Sequence, residues 1–317
     1  MRALVWDGRE LRLVPDVPDP ALLPGTAVLA VRRAGICSTD LQILSGYMQF
    51  VGIPGHEFVG IVEEGPPEWQ GRRVVADINF ACGRCASCAG GLEHHCPARQ
   101  VLGILGADGT FAERTRVPLA NLHLVPDGLC DDEAAFAEPV AAALEAAEQT
   151  EAWCGARTLV LGSGKLGLLV AQALANRGDD VHVAWRNIRG QALARELGLA
   201  EVPVAAVTRG YDLVIDATGH AAGIDLAMRA VRPRGAIVVK TTVAERYDLD
   251  LAPLVIDEIT LIGSRCGPMG SALKALASGA IRVRPLLDAV EPLSQGVAAM
   301  TRASRPGTLK IQIDPTR

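Results

Sequence analysis

The sequence is poor in aromatic residues and has no excess of positive charge. Aromatic residues make up 4% of the chain and the formal net charge is −5, so no basic surface favours a nucleic-acid partner. No apolar run approaches the roughly 18 residues that span a bilayer, and the segment MRALVWDGRELRLV lacks the apolar core of a signal peptide. We therefore expect a cytoplasmic protein with no membrane partner. Its thiols would stay reduced, which favours metal binding over disulfides.

The sequence pattern divides the chain into a β-rich part and an α/β part. Strand-like segments such as AVLAVRRAGI and EFVGIVEEG dominate the N-terminal part. The Ala-rich, acidic segment DDEAAFAEPVAAALEAAEQT then predicts a helix. From Thr158, strands alternate with helices up to ITLIGSR, which predicts βαβ units and a parallel sheet. No second run of βαβ units follows, and the C-terminal segment is expected to return to the first part.

The segment GSGKLG follows a predicted strand and opens a predicted helix, which is the setting of a dinucleotide-binding turn. Gly162 permits the tight turn, Gly164 lets the backbone approach a pyrophosphate, and Gly167 lets helix and strand pack closely. The helix N-terminus would supply N–H groups to the phosphates. The predicted cofactor-binding residues of this turn are Gly162, Ser163, Gly164, Lys165, Leu166 and Gly167.

The residues after the second strand of this unit favour NADP over NAD. An NAD site carries an acid near that strand end to bind the ribose 2′-hydroxyl. Here the strand DVHVAW is followed by Arg186 and Asn187, with Arg189 close behind, and none of these is acidic. An arginine suits a 2′-phosphate by charge and by its forked donors. The alternative is that Arg186 is a solvated loop residue.

Half of the eight cysteines, namely Cys82, Cys85, Cys88 and Cys96, lie within ACGRCASCAGGLEHHCP. Disulfides, an iron–sulfur cluster and a zinc ion are the competing explanations. A reducing compartment and the crowding of the thiols disfavour disulfides. A bacterial ferredoxin run has three residues before its last cysteine, whereas seven separate Cys88 from Cys96. A nucleic-acid zinc ribbon would need basic neighbours, which AGGLEHH does not supply.

Two short upstream segments contain groups that suit a catalytic metal. GICSTDLQ contains Cys37, Thr39 and Asp40, and GIPGHEFVG contains His56 and Glu57. A lone cysteine of this kind is usually a small buried hydrophobic residue. The order of motifs carries more information: Cys-x-Thr-Asp, Gly-His-Glu, four cysteines, a Glu-Pro element and the glycine turn.

This order resembles the zinc-dependent medium-chain alcohol dehydrogenases, and the Glu-Pro element AEPVAAAL is closest to their polyol and threonine dehydrogenase branch. The resemblance covers nearly the whole chain. It implies an α/β fold with a GroES-like β-rich catalytic domain and a Rossmann domain with a doubly wound parallel sheet. Residues 1–140, completed by 280–317, would form the catalytic domain, and residues 141–279 the Rossmann domain.

The resemblance also implies two zinc sites. Cys37 and His56 would ligate a catalytic zinc together with a carboxylate, either Glu138 or Glu57. A sulfur, an imidazole, a carboxylate and an open position suit a catalytic zinc. The cysteine cluster matches the family's structural zinc lobe in order and spacing, so all four thiolates would hold a second, closed zinc.

The remaining site residues take their roles from the same resemblance. Thr39 would pass the alcohol's proton towards solvent, and Asp40 would accept from the far nitrogen of His56 and fix its tautomer. The sequence Ser38-Thr39-Asp40 also suits a helix N-cap, and both roles can hold. Thr218 and Arg265, at later strand ends, would approach the cofactor. Relatives often carry a histidine where this chain has Glu145, so no proton relay is assigned beyond Thr39.

These residues predict a zinc-dependent oxidoreductase that transfers hydride between NADP(H) and a secondary alcohol or polyol and its carbonyl partner. The expected partners are a small-molecule substrate and further copies of the chain, in a homo-dimer or homo-tetramer. The alternative hypothesis is a non-catalytic redox sensor that binds zinc and nicotinamide on the same scaffold. An open metal site argues against it, because a pure binder has no use for one.

Overall fold

The computed structural model describes residues 1–241 and 248–317. Its strands, numbered along the chain, are β1 Ala3–Trp6, β2 Leu11–Val14, β3 Thr26–Gly35, β4 Glu57–Glu64, β5 Arg73–Ala76, β6 Asn79–Phe80, β7 Gln100–Leu102, β8 Gly106–Ala107, β9 Arg114–Pro118, β10 Leu122–Leu124, β11 Arg157–Leu161, β12 Asp180–Trp185, β13 Ala200–Pro203, β14 Tyr211–Asp216, β15 Val231–Val239, β16 Thr260–Gly263, β17 Leu287–Pro292 and β18 Lys310–Asp314. Its α-helices are α1 Ser38–Ile43, α2 Ala86–Ala89, α3 Asp131–Ala134, α4 Ala137–Gln149, α5 Lys165–Arg177, α6 Ile188–Glu196, α7 Gly223–Ala230, α8 Ala252–Ile256, α9 Met269–Ala277 and α10 Gly296–Ala303.

The chain forms two compact units. The first consists of Met1–Glu138 and Leu287–Arg317, and the second of Pro139–Leu286. Among the described residues, no helix has the length and apolar character needed to cross a membrane.

The main sheet of the first unit is built around the long strand β3. Its order is β10-β5-β4-β3-β18-β17, with β9 also paired to β3. Strand β18, from the C-terminal end of the chain, pairs antiparallel with β3, which places Ile313 opposite Ala34. On its other side, β3 pairs Gly35 with Glu57 at the start of β4. The C-terminal strand therefore lies one strand away from the Gly-His-Glu segment.

The second unit contains a six-stranded sheet whose order is β13-β12-β11-β14-β15-β16. All of its strand pairs are parallel. The direction of winding reverses between β11 and β14, so a crevice for a dinucleotide is expected at the carboxyl ends of these strands. Buried residues of the sheet, such as Leu159, Leu161 and Val214, form a core with residues of α7. This architecture confirms the fold class predicted from the sequence.

The acidic, Ala-rich segment forms two helices rather than the single predicted one. Helix α3 ends at Ala134 and α4 begins at Ala137. Pro139 lies in the first turn of α4, where the absence of its N–H costs nothing. A helix continuing through this position would have needed that N–H, so the break falls just before it.

The glycine turn between β11 and α5 depends on backbone contacts that leave no space for side chains. A Cβ on Gly167 would lie 1.9 Å from the carbonyl oxygen of Gly162. Gly162 has φ +109°, and a Cβ there would lie 2.6 Å from the Ala217 carbonyl oxygen. Gly164 differs, since no atom of the described residues beyond its two chain neighbours lies within 4 Å of its Cβ position. Gly162 and Gly167 therefore serve the fold, while Gly164 leaves space for a ligand.

We expect Gly167→Ala and Gly164→Ala to separate stability from cofactor binding. Gly167→Ala should destabilise the protein by about 1–3 kcal/mol, because backbone must move to admit the methyl group. Gly164→Ala should leave the thermal midpoint unchanged and weaken dinucleotide binding, because its methyl group would enter the phosphate space. Thermal unfolding and cofactor titration of both variants check this. Equal thermal midpoints for the two variants would contradict it.

Candidate functional site

Cys37 is held at the N-terminus of α1 by a reciprocal capping arrangement. The backbone N–H of Thr39 donates to Cys37 Sγ over 3.5 Å, and the N–H of Cys37 donates to Asp40 Oδ2 over 2.7 Å. The N-cap is therefore Cys37 itself, with Asp40 as the third helical residue of the capping box. The Thr39 hydroxyl lies 3.6 Å from Cys37 Sγ. The capping geometry fixes the direction of the sulfur.

Asp40 also contacts His56. Its Oδ1 lies 3.2 Å from Nδ1 of the imidazole, and both side chains are buried. Neither atom makes a hydrogen bond of good geometry elsewhere in the described part of the chain. One carboxylate thus serves the helix cap with Oδ2 and the imidazole with Oδ1. A histidine whose Nδ1 faces a carboxylate presents Nε2 to a metal.

Glu57 pairs with a residue that the sequence motifs did not identify. Lys310 Nζ forms a buried ion pair with Glu57 Oε2 and donates to the Ile36 carbonyl over 3.1 Å. Gly35 provides the space, because a Cβ there would lie 2.5 Å from Glu57 Oε2 and 3.4 Å from Lys310 Cδ. The contact follows from the sheet order, in which β3 separates β4 from β18. The letters GTLKIQI, taken alone, give no sign of a buried lysine.

The electrostatics of this cluster favour a cation. Burial opposes the charged form of His56, but the Asp40 carboxylate and the Cys37 sulfur more than offset it, so the pKa of His56 is raised well above its usual value. Burial likewise opposes the Lys310 ammonium, and the charges of Glu57 and Cys37 raise its pKa nonetheless. Surroundings that retain protons so strongly also stabilise a bound metal ion.

One group of donor atoms suits a metal at this position. Ligand atoms from Cys37, His56 and Glu57 all lie within 4.8 Å of one another, and this sulfur, nitrogen and oxygen set is suited to zinc. Among the described residues, Glu138 is not part of that group; it is the second residue of α4. The structure thus brings together Cys37, Thr39, Asp40, His56 and Glu57.

The four clustered cysteines converge in a small lobe around α2. Their sulfur atoms all lie within 4.8 Å of one another, with Cys85 Sγ 3.4 Å from Cys88 Sγ and 3.8 Å from Cys96 Sγ. Thiolates around a tetrahedral zinc with bonds of about 2.3 Å stand about 3.8 Å apart. All eight cysteines lie among the described residues, and none of them forms a disulfide. The lobe therefore fits a closed zinc site.

The thiols of this lobe differ in acidity. Backbone N–H donors, led by that of Arg84, lower the pKa of Cys82 to about 6. Desolvation raises the pKa of Cys88 to about 11. Four thiolates in this space would repel one another unless a cation neutralised them.

The adenosine half of the predicted cofactor site has exposed arginines and one acid that the sequence motif missed. Arg186, Asn187 and Arg189 are exposed at the end of β12 and the start of α6, where Asn187 caps the helix by accepting from the Gly190 N–H over 2.8 Å. Glu201, on neighbouring β13, lies close by. It accepts from Trp185 Nε1, from Gln191 over 2.8 Å and from Arg195 over 2.6 Å.

These hydrogen bonds lower the pKa of Glu201, and the bond from Gln191 has the largest effect. The carboxylate of Glu201 therefore already accepts hydrogen bonds from three side chains of the protein. Only the pairing of β12 with β13 brings it to this position, so no motif along the sequence indicates it.

The other predicted cofactor contacts lie at later strand ends. The Thr218 hydroxyl donates to Asp216 Oδ1 over 2.7 Å in the turn after β14. Arg265 is exposed in the segment after β16, and its carbonyl accepts from Lys240 Nζ over 2.9 Å. Both residues lie at the carboxyl edge of the parallel sheet.

We expect Cys88→Ser to remove one metal ion and to lower the thermal midpoint, because three thiolates no longer close a tetrahedral site. Metal content by plasma mass spectrometry should fall from about two to about one zinc per chain. Cys154→Ser, at an exposed cysteine outside both clusters, is the control and should keep both ions. Iron in place of zinc, or unchanged content in Cys88→Ser, would refute the assignment of this lobe.

We expect Lys310→Met to destabilise the protein by about 3–5 kcal/mol, because it leaves the Glu57 carboxylate buried without its partner. The double variant Lys310→Met with Glu57→Gln should recover most of that loss, since the uncompensated charge is then gone. Thermal midpoints of the wild type, both single variants and the double variant form the cycle. Additive losses would show that the two side chains do not interact energetically.

Comparison with known proteins agrees with this architecture. The family model described as alcohol dehydrogenase GroES-like domain matches residues 23–127, and that described as zinc-binding dehydrogenase matches residues 166–278. The chain is 31% identical to an L-threonine 3-dehydrogenase of Streptomyces avermitilis, covering 90% of this chain and 91% of the relative. It is 30% identical to a D-altritol 5-dehydrogenase of Agrobacterium fabrum, covering 98% and 99%.

Among solved structures, a zinc-binding dehydrogenase of Sinorhizobium meliloti bound to NADP superposes with a TM-score of 0.90 at 26% identity, covering 99% of each chain. The identities over nearly full length confirm the family that the motif order indicates. The chain belongs to the zinc-dependent medium-chain dehydrogenases, in their polyol dehydrogenase branch, and is an oxidoreductase of that family.

Proposed function

We propose that this protein is an NADP(H)-preferring dehydrogenase that interconverts a secondary alcohol or polyol with its ketone or aldehyde. The observation that carries the proposal is the grouping of the Cys37, His56 and Glu57 ligand atoms. The same chain has a parallel sheet with a glycine turn for a dinucleotide. The two relatives named above are dehydrogenases of L-threonine and of D-altritol, and both of these substrates carry hydroxyl groups. This supports a hydroxyl-bearing substrate for the present chain.

The residues take distinct roles in this proposal. A zinc held by Cys37, His56 and a carboxylate would supply a Lewis acid that lowers the pKa of an alcohol, and a bound nicotinamide would accept the hydride. Asp40 occupies the Nδ1 side of His56 and thereby orients its other nitrogen. The Thr39 hydroxyl takes the proton that the alcohol loses and passes it towards solvent.

The carboxylate ligand of the catalytic zinc would be Glu57 or Glu138. Glu57 would hold the metal with Cys37 and His56, while Lys310 keeps its ion pair with Oε2 of the same carboxylate. Glu138 is the alternative. The second zinc, in the lobe of Cys82, Cys85, Cys88 and Cys96, would have no open position and would stabilise the loop without taking part in chemistry.

The preference for NADP rests on charge at the adenosine half. Arg186 and Arg189 are exposed beside the end of β12, and the Glu201 carboxylate is occupied by Trp185, Gln191 and Arg195. A ribose 2′-hydroxyl of NAD would compete with these three donors for the Glu201 carboxylate. A 2′-phosphate of NADP would instead bind the guanidinium groups of Arg186 and Arg189.

Assembly into a homo-dimer or homo-tetramer through the edge of the parallel sheet is part of the proposal. Strand β16 is an edge strand of that sheet, and Leu261 within it is exposed. Val255 and Ile256 of α8 are also exposed. Light scattering coupled to gel filtration measures the assembly. The redox sensor is the second candidate, and the open metal position disfavours it.

Initial rates with NADP and NAD in parallel, on zinc-replete enzyme with secondary alcohols and polyols, test the function. We expect Arg186→Gln to raise the KM for NADP by about tenfold to a hundredfold, because a charge-assisted bond to the phosphate is lost. The KM for NAD should change little. Arg305→Gln removes an equal charge from an exposed position in the first unit and serves as control. Wild-type turnover with NAD alone would refute the NADP preference, and no turnover with any alcohol would favour the sensor.

A further inference from the structure

Lys240 is a buried cation at the carboxyl edge of the parallel sheet. The chain has four lysines, Lys165, Lys240, Lys274 and Lys310, and uses arginine for its other basic residues. Lys310 belongs to the metal cluster described above. Lys240 directly follows β15 and is only 8% exposed. Burying an ammonium is costly unless its N–H groups find acceptors, so its partners are informative.

The Lys240 ammonium lies among three oxygen atoms from separate parts of the second unit. Nζ donates to the Ala142 carbonyl over 2.7 Å, to the Arg265 carbonyl over 2.9 Å and to Ser264 Oγ over 3.2 Å. Its backbone N–H donates to the Asp216 carbonyl over 2.9 Å. One residue thus joins the ends of β14, β15 and β16 to helix α4.

The segment after β16 is also packed closely against α4. A Cβ on Gly267 would lie 2.1 Å from the Ala141 carbonyl oxygen and 2.8 Å from Glu145 Cβ. The N–H of Ser264 donates to the Val239 carbonyl over 3.2 Å. Residues 264–267 are therefore fixed from two sides, by the Lys240 ammonium and by backbone contact at Gly267.

The next residue extends this arrangement to the turn after β14. The Gly219 N–H donates to Thr241 Oγ1 over 3.0 Å. In a doubly wound sheet, the strands of the first half hold the adenosine end of a dinucleotide and those of the second half hold the other nucleotide. The turns that Lys240 and Thr241 connect are those of the second half, where the nicotinamide mononucleotide would bind.

We propose that Lys240 is a positioning residue for the nicotinamide half of the cofactor, acting by fixing residues 264–267 and the β14 end against α4. This inference rests on the proposed dinucleotide-dependent function. A compact ammonium with three N–H groups suits a site bounded by separate carbonyl and hydroxyl oxygens, whereas the planar fork of arginine does not.

The test compares a whole cofactor with its adenosine fragment. NADPH occupies both halves of the sheet edge, whereas 2′,5′-ADP occupies only the adenosine half. We expect Lys240→Met to raise the Kd for NADPH, measured by its fluorescence, by about tenfold or more. The Kd for 2′,5′-ADP, measured by calorimetry, should stay unchanged. Lys274→Met, at an exposed lysine of α9, is the matched control and should bind both as the wild type does.

Lys240→Arg should restore the NADPH affinity only in part. Unchanged NADPH binding in Lys240→Met would overturn the proposal, and so would equal losses for NADPH and 2′,5′-ADP. If Lys240→Met does not fold, the Kd values for NADPH and 2′,5′-ADP are compared in Gly267→Ala instead. The added methyl group in that variant would displace residues 264–267 from α4. Unchanged NADPH binding in that variant would then overturn the proposal.

If the protein does not prefer NADP, the same binding measurements give a different pattern from failure of the Lys240 proposal. The wild type would then bind 2′,5′-ADP weakly and NADH well, and the Lys240 comparison is made with NADH and ADP. Loss of NADH but not ADP binding in Lys240→Met would support the positioning role independently of the preferred cofactor. Equal binding of NADH by Lys240→Met and the wild type would overturn it.

Discussion

The buried ion pair between Glu57 and Lys310 is the interaction on which the candidate metal site depends. Both side chains are almost inaccessible to water, and two charges are kept in a protein interior only when each has a partner. The pair joins the first residue of β4 to the first residue of β18, with Gly35 of β3 between them. The C-terminal strand is thereby tied to the segment that carries His56.

The surroundings of this pair have more negative than positive groups. Asp40, Glu57 and the Cys37 sulfur lie around His56 and Lys310, and the raised pKa values of both basic groups reflect this. Such a cluster stabilises a divalent cation because the anionic groups are already assembled and partly desolvated. Asp40 contributes twice, since its two oxygens serve the helix cap and the imidazole separately.

The second unit depends on a different feature, namely close contacts between backbone segments that leave no space for a side chain. Gly162, Gly167 and Gly267 lie where a Cβ would collide with a carbonyl oxygen, whereas a Cβ on Gly164 would contact none of the described residues beyond its chain neighbours. The first three glycines set the distances between strands, turns and helices. Lys240 adds a polar contact in the same unit, because its ammonium donates to the carbonyl oxygens of Ala142 and Arg265.

The sequence by itself determined the family, the fold class and the enzymatic class, because these depend on the order and spacing of motifs such as Cys37-x-Thr39-Asp40 and the glycine turn. Five of the six strands of the parallel sheet were predictable, since alternating βαβ units leave a strong local pattern. Strand β13 was not predicted, because its four residues, AEVP, include an acid and a proline and give little strand signal. The split of α3 from α4 was not predicted, because propensity alone does not show where a proline must fall in a first turn.

Tertiary structure alone decided the partners of the charged groups. Lys310 lies far along the chain from Glu57, and Glu201, Lys240 and Arg265 gain their neighbours only through strand pairing and loop packing. Short-range sequence patterns report the periodicity of one element at a time. Which acid meets which base is set by strand order, and strand order is a property of the folded sheet.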